Sequence, residues 1–221
     1  LTKEMIVQAK ELLRLLGLPI VQAPSEGEAQ AAYMVKMGDA YACISQDYDN
    51  LIFDCPILIR NLSIAGKKKR MGKLSFQTIK PELISLKENL EKMEIDRDQL
   101  IFLSILVGTD YNPVGIKGVG QKTALKLVRE YAKEKKPFDE MFESLEWDNQ
   151  YELSWKVIFD TIKDIPVTDD YKLIFNPIKE DELTTFLVEK NEFSEERVKS
   201  KLGKLKSKKN ELSQTGLGSF M

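Results

Sequence analysis

Residues Tyr41–Ser45 (YACIS) form a short apolar run without alternation, set between segments of helical periodicity. This run constrains the fold more than any other feature of the chain. It reads as a strand buried on both faces, and such strands belong to parallel sheets covered by helices. Upstream, Met5, Ile6, Ala9, Leu12, Leu13 and Leu16 recur at helical spacing until Gly17, and Pro19–Ala23 follows as an extended run. Ser25 reads as the start of a second helix ending near Gly38. Ile57–Leu62 and Leu74–Ile79 read as two more strands, joined by a basic loop. This order predicts an α/β unit with a mostly parallel central sheet and flanking helices.

The second half reads as helical. Pro81–Met93 and Arg97–Val107 are expected helices, the latter apolar nearly all round and therefore buried. Further helices are expected around Gln121–Lys135, Tyr151–Lys163, Glu180–Lys190 and Ser194–Lys206, with a mobile tail after them. The expected organisation is an α/β core over 1–110, a helical region over 111–209 and a flexible tail over 210–221. The chain opens at Leu1 directly in an amphipathic helix, so an N-terminal segment is expected to be absent from it.

Composition removes several function classes. The 221 residues contain no histidine, which excludes Ser–His, Cys–His and His-zinc catalysis together. No apolar run reaches the length of a membrane span. The two cysteines, Cys43 and Cys55, lie in apolar surroundings and read as buried, reduced thiols of an intracellular protein. Net charge is only −2, but its distribution is uneven. Lys67–Lys73 is basic, and Arg197–Lys209 holds seven basic residues and no acidic one. Each run reads either as solvated surface or as part of a basic face.

Against that background stand five carboxylates in three clusters: Glu26 and Glu28 in APSEGEA, Asp47 and Asp49 in SQDYDNL, and Asp110 in VGTDYN. Acidic oxygens without histidine or paired cysteines suit Mg²⁺ or Mn²⁺ rather than zinc. Each cluster also has a local structural reading. Ser25 and Glu28 fit a capping box. Asp47 and Asp49 fit a turn and the cap of a short helix at Asn50–Phe53, or an extended pair sharing one side of the chain. Asp110, beside Tyr111-Asn112-Pro113, fits an ordinary turn.

Gly115–Leu125 (GIKGVGQKTAL) places glycines beside a helix N-terminus bearing Lys122 and Thr123. Such a turn offers backbone N–H groups to a phosphate, and the pattern is that of a helix–hairpin–helix clamp on a DNA backbone; a plain helix connector is the other reading. It lacks the spacing of a nucleotide-binding loop. At the C-terminus, Gln214, Leu217 and Phe220 recur every three residues, as in a helical turn that docks in a groove.

Taken in order, APSEGEAQAAY, SQDYDNLIF, RNL, VGTDYNPVGIKGVGQKTAL and the C-terminal QTGLGSFM resemble the flap endonucleases, structure-specific 5′ nucleases of replication and repair. The match looks like the C-terminal two-thirds of an archaeal-type member. The resemblance implies a PIN-like 5′-nuclease fold, in which Glu26, Glu28, Asp47, Asp49 and Asp110 are catalytic and metal-site carboxylates for two Mg²⁺ ions, with Mn²⁺ as a substitute. It implies a helix–two-turn–helix in which Lys117, Gly118, Gly120, Lys122 and Thr123 contact the duplex backbone, with a K⁺ ion at the turn. It implies that Gln214, Leu217, Phe220 and Met221 bind a sliding clamp (PCNA), with a weaker contact where Met221 stands for a second aromatic. The implied partners are branched or flapped DNA and the clamp, for a protein otherwise monomeric and independent of membranes. The implied setting is Okazaki-fragment maturation and repair in the archaeal cytoplasm at the nucleoid, or in a eukaryotic nucleus. The family places two more aspartates and a helical arch upstream of Leu1, so a non-catalytic, clamp-tethered DNA-binding module is the alternative expectation.

Overall fold

A computed structural model of the chain describes residues 2–62, 66–69 and 76–218, with side chains for 2–62, 66 and 78–207. The first elements are α1 (Lys3–Leu15), α2 (Gly27–Lys36), β1 (Cys43–Ile44), α3 (Asp49–Ile52), β2 (Ile57–Arg60), β3 (Gly66–Lys69), β4 (Phe76–Ile79) and β5 (Glu82–Ser85). Helices follow: α4 (Leu86–Met93), α5 (Arg97–Val107), α6 (Gln121–Glu134), α7 (Phe138–Ser144), α8 (Trp147–Gln150), α9 (Trp155–Lys163), α10 (Glu180–Val188) and α11 (Glu195–Gly218). The α/β class holds. By contacts the chain divides into one unit of residues 1–22 with 170–221 and another of residues 23–169. That division falls elsewhere than the sequence boundaries at 110 and 209.

In the larger unit, β1 pairs parallel with β2, and β2 pairs antiparallel with β5. The described sheet is therefore mixed rather than mostly parallel. The segment expected to be one helix, Pro81–Met93, splits instead. Glu82–Ser85 zips onto β2, and Ser85 Oγ then caps α4 by accepting from the Glu88 N–H at 3.3 Å. The basic loop also departs from expectation: Gly66–Lys69 is a strand paired with β4 in a separate hairpin. β1 buries one face only. Cys43 packs with Ala32, Val35, Cys55 and Leu58, while Ile44 is 60% exposed.

The second core of this unit gathers on α5. Its N-terminus is a full capping box, with Asp96 accepting from the Gln99 N–H at 2.9 Å and Gln99 Oε1 accepting from the Asp96 N–H at 3.1 Å. Ile101, Phe102, Ile105 and Leu106 meet Ala124 and Val128 of α6, Phe142 of α7, Trp147 of α8 and Ile158 of α9. Stacked pairs such as Phe142–Trp155, with centroids 4.4 Å apart, add to the area term. The helix expected from Tyr151 starts late, at Trp155, because the Tyr151 hydroxyl donates to Gly115 O at 2.6 Å and Ser154 caps α9. The helix α7 carried no distinct sequence signal.

In the smaller unit, Leu15, Leu183, Val198 and Leu202 join α1, α10 and α11. Gly17 ends α1 at φ +73°, where a Cβ would stand 2.1 Å from Asn176 O, so glycine is required for that close approach. The backbone of α11 runs on to Gly218 rather than ending near Lys206. Among the described residues, no helix is long and apolar enough to cross a membrane.

Candidate metal centre

Four of the five carboxylates line one cavity of about 50 Å³: Glu26, Glu28, Asp49 and Asp110, with Ile52, Phe53, Thr109 and Tyr111. Glu26 is the N-cap of α2 but makes no capping bond, and the expected Ser25–Glu28 capping box does not form. The Glu28 carboxylate is engaged elsewhere: it accepts from Ser45 Oγ at 2.7 Å. Ser45 in turn accepts from the Asp47 N–H at 3.1 Å, so one hydroxyl ties the first acidic cluster to the second. Asp49 begins α3, and the buried Asn50 beside it donates to the Glu28 carbonyl at 3.0 Å.

Asp110 arrives from the far side of the core. Gly108, at φ +124°, ends α5. The following turn is locked by buried Asn112, which donates to Ile105 O at 2.7 Å and accepts from Thr109 Oγ1 at 2.7 Å. Asp47 does not line the cavity; its carboxylate accepts from the following Tyr48 N–H at 2.7 Å. Its charge still reaches the site. The Asp49 carboxyl is pushed up to about 6, first by burial and then by Asp47, Glu28, Asp110 and Glu26. The Tyr111 hydroxyl is raised by burial and by Glu26 and Asp110. Four of the five acids named from the sequence therefore line one cavity, with Asp47 outside it.

The donor set is hard oxygen, carboxylates with nearby Ser and Thr hydroxyls, which fits Mg²⁺ or Mn²⁺ in charge and chemistry. Among the described residues, no three acidic, histidine or cysteine side chains converge closely enough to share one ion. Glu28 and Asp47 are each turned toward a neighbouring hydroxyl or amide. The cysteines are elsewhere, buried in the sheet core.

The glycine turn stands beside this centre. A second cavity, of about 420 Å³, is lined by Tyr48, Asp49, Gly108, Gln121 and Lys122 among others. Lys117, Gly118, Gly120, Lys122 and Thr123 are all exposed. Gly120 is the N-cap of α6 without a side-chain cap, which leaves first-turn N–H groups open. The turn is anchored from below, by Ile116 N–H to Leu106 O at 2.8 Å and by Lys117 N–H to Gln150 Oε1 at 3.0 Å. Of the tail motif, Gln214 and Leu217 fall on the α11 backbone with side chains outside the described residues, and Phe220 and Met221 lie outside them altogether.

Sequence reasoning assigned no role to the groups that tie the acidic segments together: Ser45, Asn50 and Asn112. The Ser two residues before Asp47 is the one with a local signal, since such hydroxyls cap turns.

Residues 17–110 match the XPG I-region family. The chain is 46% identical over 220 residues to flap endonuclease 1 of Korarchaeum cryptofilum, covering 100% of this chain and 63% of that protein. It is 50% identical over 204 residues to the Pyrococcus abyssi flap endonuclease 1, covering 92% of this chain and 57% of that one. The solved flap endonuclease-1 from Methanococcus jannaschii superposes with a TM-score of 0.76 at 39% identity, over 93% of this chain and 58% of that chain. The chain therefore spans about three fifths of the length of these relatives. The chain is thus similar to these flap endonucleases along nearly its whole length, and the span that matches the XPG I-region contains Glu26, Glu28, Asp47, Asp49 and Asp110.

Proposed function

We propose that this chain supplies metal-site carboxylates and the duplex grip of a structure-specific 5′ flap endonuclease and 5′–3′ exonuclease, hydrolysing DNA phosphodiesters with two Mg²⁺ ions. The observation that carries this reading is the single cavity lined by Glu26, Glu28, Asp49 and Asp110, which come from three separate stretches of the chain. Glu26, Glu28, Asp49 and Asp110 would hold the cations, with Asp47 adding charge from just outside the cavity. Divalent cations held by these carboxylates would supply an activated water and Lewis-acid polarisation of the scissile phosphate. The chain's own contribution is to orient and neutralise. Its acids concentrate cations, Gly118–Thr123 and Lys117 grip duplex phosphates, and contacts to the backbone select shape over sequence. A K⁺ ion at the glycine turn would extend that grip.

The decisive experiment is cleavage of a 5′-flap duplex with and without EDTA. Asp47→Ala with Asp49→Ala abolishes metal-dependent cleavage by the nuclease while leaving duplex binding largely in place. Undiminished cleavage would make the pair structural. The alternative, a non-catalytic DNA-binding module, is not favoured by relatives named as endonucleases. Duplex binding without cleavage in Mg²⁺ or Mn²⁺ would revive it.

The terminal Gln214, Leu217, Phe220 and Met221 are proposed to dock on a sliding clamp. Phe220→Ala then weakens clamp binding by about tenfold or more, as expected for a buried aromatic anchor, and leaves clamp-independent cleavage alone. Unchanged affinity in a titration refutes the assignment. Work at the nucleoid, in replication and repair, belongs to the same proposal.

A further inference from the structure

Asp47 lies on the loop between β1 and α3 and Asp49 opens α3, and the side chain that fixes this loop comes from β2. Arg60 ends β2, and its side chain is 21% exposed. Nε donates to Gln46 O at 3.1 Å, and Nη2 donates to the same oxygen at 3.0 Å. Nη1 meets the Tyr48 hydroxyl, and Cζ lies 4.0 Å from the Tyr48 ring centroid. These contacts bracket Asp47 on either side and stop one residue short of Asp49. Glu82, the register partner of Arg60 on β5, stands 3.7 Å from Nη1.

A plain surface ion pair is the competing account, and the Glu82 contact is of that kind, with its carboxylate 55% exposed. The rest is not. A planar fork places two donors on one main-chain carbonyl and a third on the side chain two residues on, which a lysine's single ammonium cannot reproduce. Among the described residues, the polar contacts of Arg60 go to Gln46 O, the Tyr48 hydroxyl and Glu82, and not to the Asp49 carboxylate. Its action runs through the backbone. From the other side, Ser45 Oγ holds the Asp47 N–H, so the loop is pinned at both flanks.

We propose that Arg60 is a positioning residue of the metal centre, holding the Gln46–Tyr48 segment so that Asp49 is presented to a divalent cation with the charge of Asp47 fixed beside it. The proposal rests on the metal-site reading above. Outer partners of this kind are worth roughly ten- to a hundredfold in metal affinity.

The test is Mn²⁺ binding by the full chain, followed by calorimetry, with backbone hydrogen exchange at residues 46–49 and melting in EDTA as companion measurements. Arg60→Lys, which keeps the charge and loses the fork, weakens Mn²⁺ binding roughly tenfold. It also speeds exchange at 46–49 selectively, with little change in melting temperature. Tyr48→Phe keeps the bonds to Gln46 and shows a smaller loss, and it carries the test if the Arg60 variant folds poorly. Glu82→Gln stays within about twofold of wild type, as a surface pair should. Wild-type Mn²⁺ affinity in Arg60→Lys and Tyr48→Phe overturns the proposal and leaves the metal reading standing. No Mn²⁺ binding by the wild type overturns the metal reading, and the proposal with it.

Discussion

Asp49 reports on the whole centre through a single carboxyl. Its ordinary value of 3.8 rises to about 6, from burial first and the neighbouring acids second. The folded state therefore holds the proton more tightly than the unfolded chain does. The stabilisation that this proton provides is complete below about pH 3.8 and is lost as pH rises through about 6. Asp49→Asn should accordingly stabilise the metal-free protein at about pH 7.5 and not at about pH 4. Solvent screening of this half-exposed group trims the effect to about 1 kcal/mol, or roughly 2–4 °C in melting temperature. Melts in EDTA at the two pH values check it, and an equal shift at both would show that the variant acts by packing. The same residue shows what a sequence conceals. Asp49 was legible as an acid near a helix start, but the charges that act on it come from residues up to Asp110.

At the scale of elements, the turn between α5 and α6 is held closely by its glycines. Gly115 sits at φ +62°, and a Cβ there would stand 2.3 Å from Val107 O. Gly118, at φ +84°, faces open space. Gly115→Ala should cost roughly 2–4 kcal/mol, from strain plus a clash with main chain, and displace the Asp110 turn. Gly118→Ala should cost about 1 kcal/mol from backbone strain alone. Urea denaturation ranks the two, and the reverse order would contradict this geometry. The elements themselves were unevenly legible. The helix α5 was clear because its apolar pattern is local, although its capping box at Asp96 and Gln99 was not read from the sequence. The strand β5 was missed because Glu82–Ser85 is extended only through pairing with β2, a partner outside any local window. The hairpin strand β3 was missed because lysines on a strand carry no apolar alternation.

For the molecule as a whole, the feature with functional reach is the closeness of the acidic centre to the exposed start of α6, joined by the cavity that Asp49 and Lys122 share. The net charge of −2 hides this division of labour. DNA binding should therefore fall steeply with salt, and Lys117→Ala or Lys122→Ala should each flatten the dependence of log K on log salt by about one. Titrations on a flap duplex at several salt concentrations test this, and an unchanged slope would remove these lysines from the phosphate grip.

By itself the sequence determined the α/β class, the main helices, the identity of the five acids and the glycine turn. Each is written in local spacing, or in the order of motifs along the chain. Only the tertiary structure decided that the sheet is mixed, that Glu28 and Asp47 are joined through Ser45, and that Arg60 reaches back to the loop bearing Asp47. The reason is distance along the chain. Spacing rules describe neighbours within a few residues, whereas buried Gln30 exchanges two 2.8 Å hydrogen bonds with the backbone of Thr168, 138 positions away. Pairings of that range are selected by the packed core as it closes and leave no periodic trace in the residues that make them.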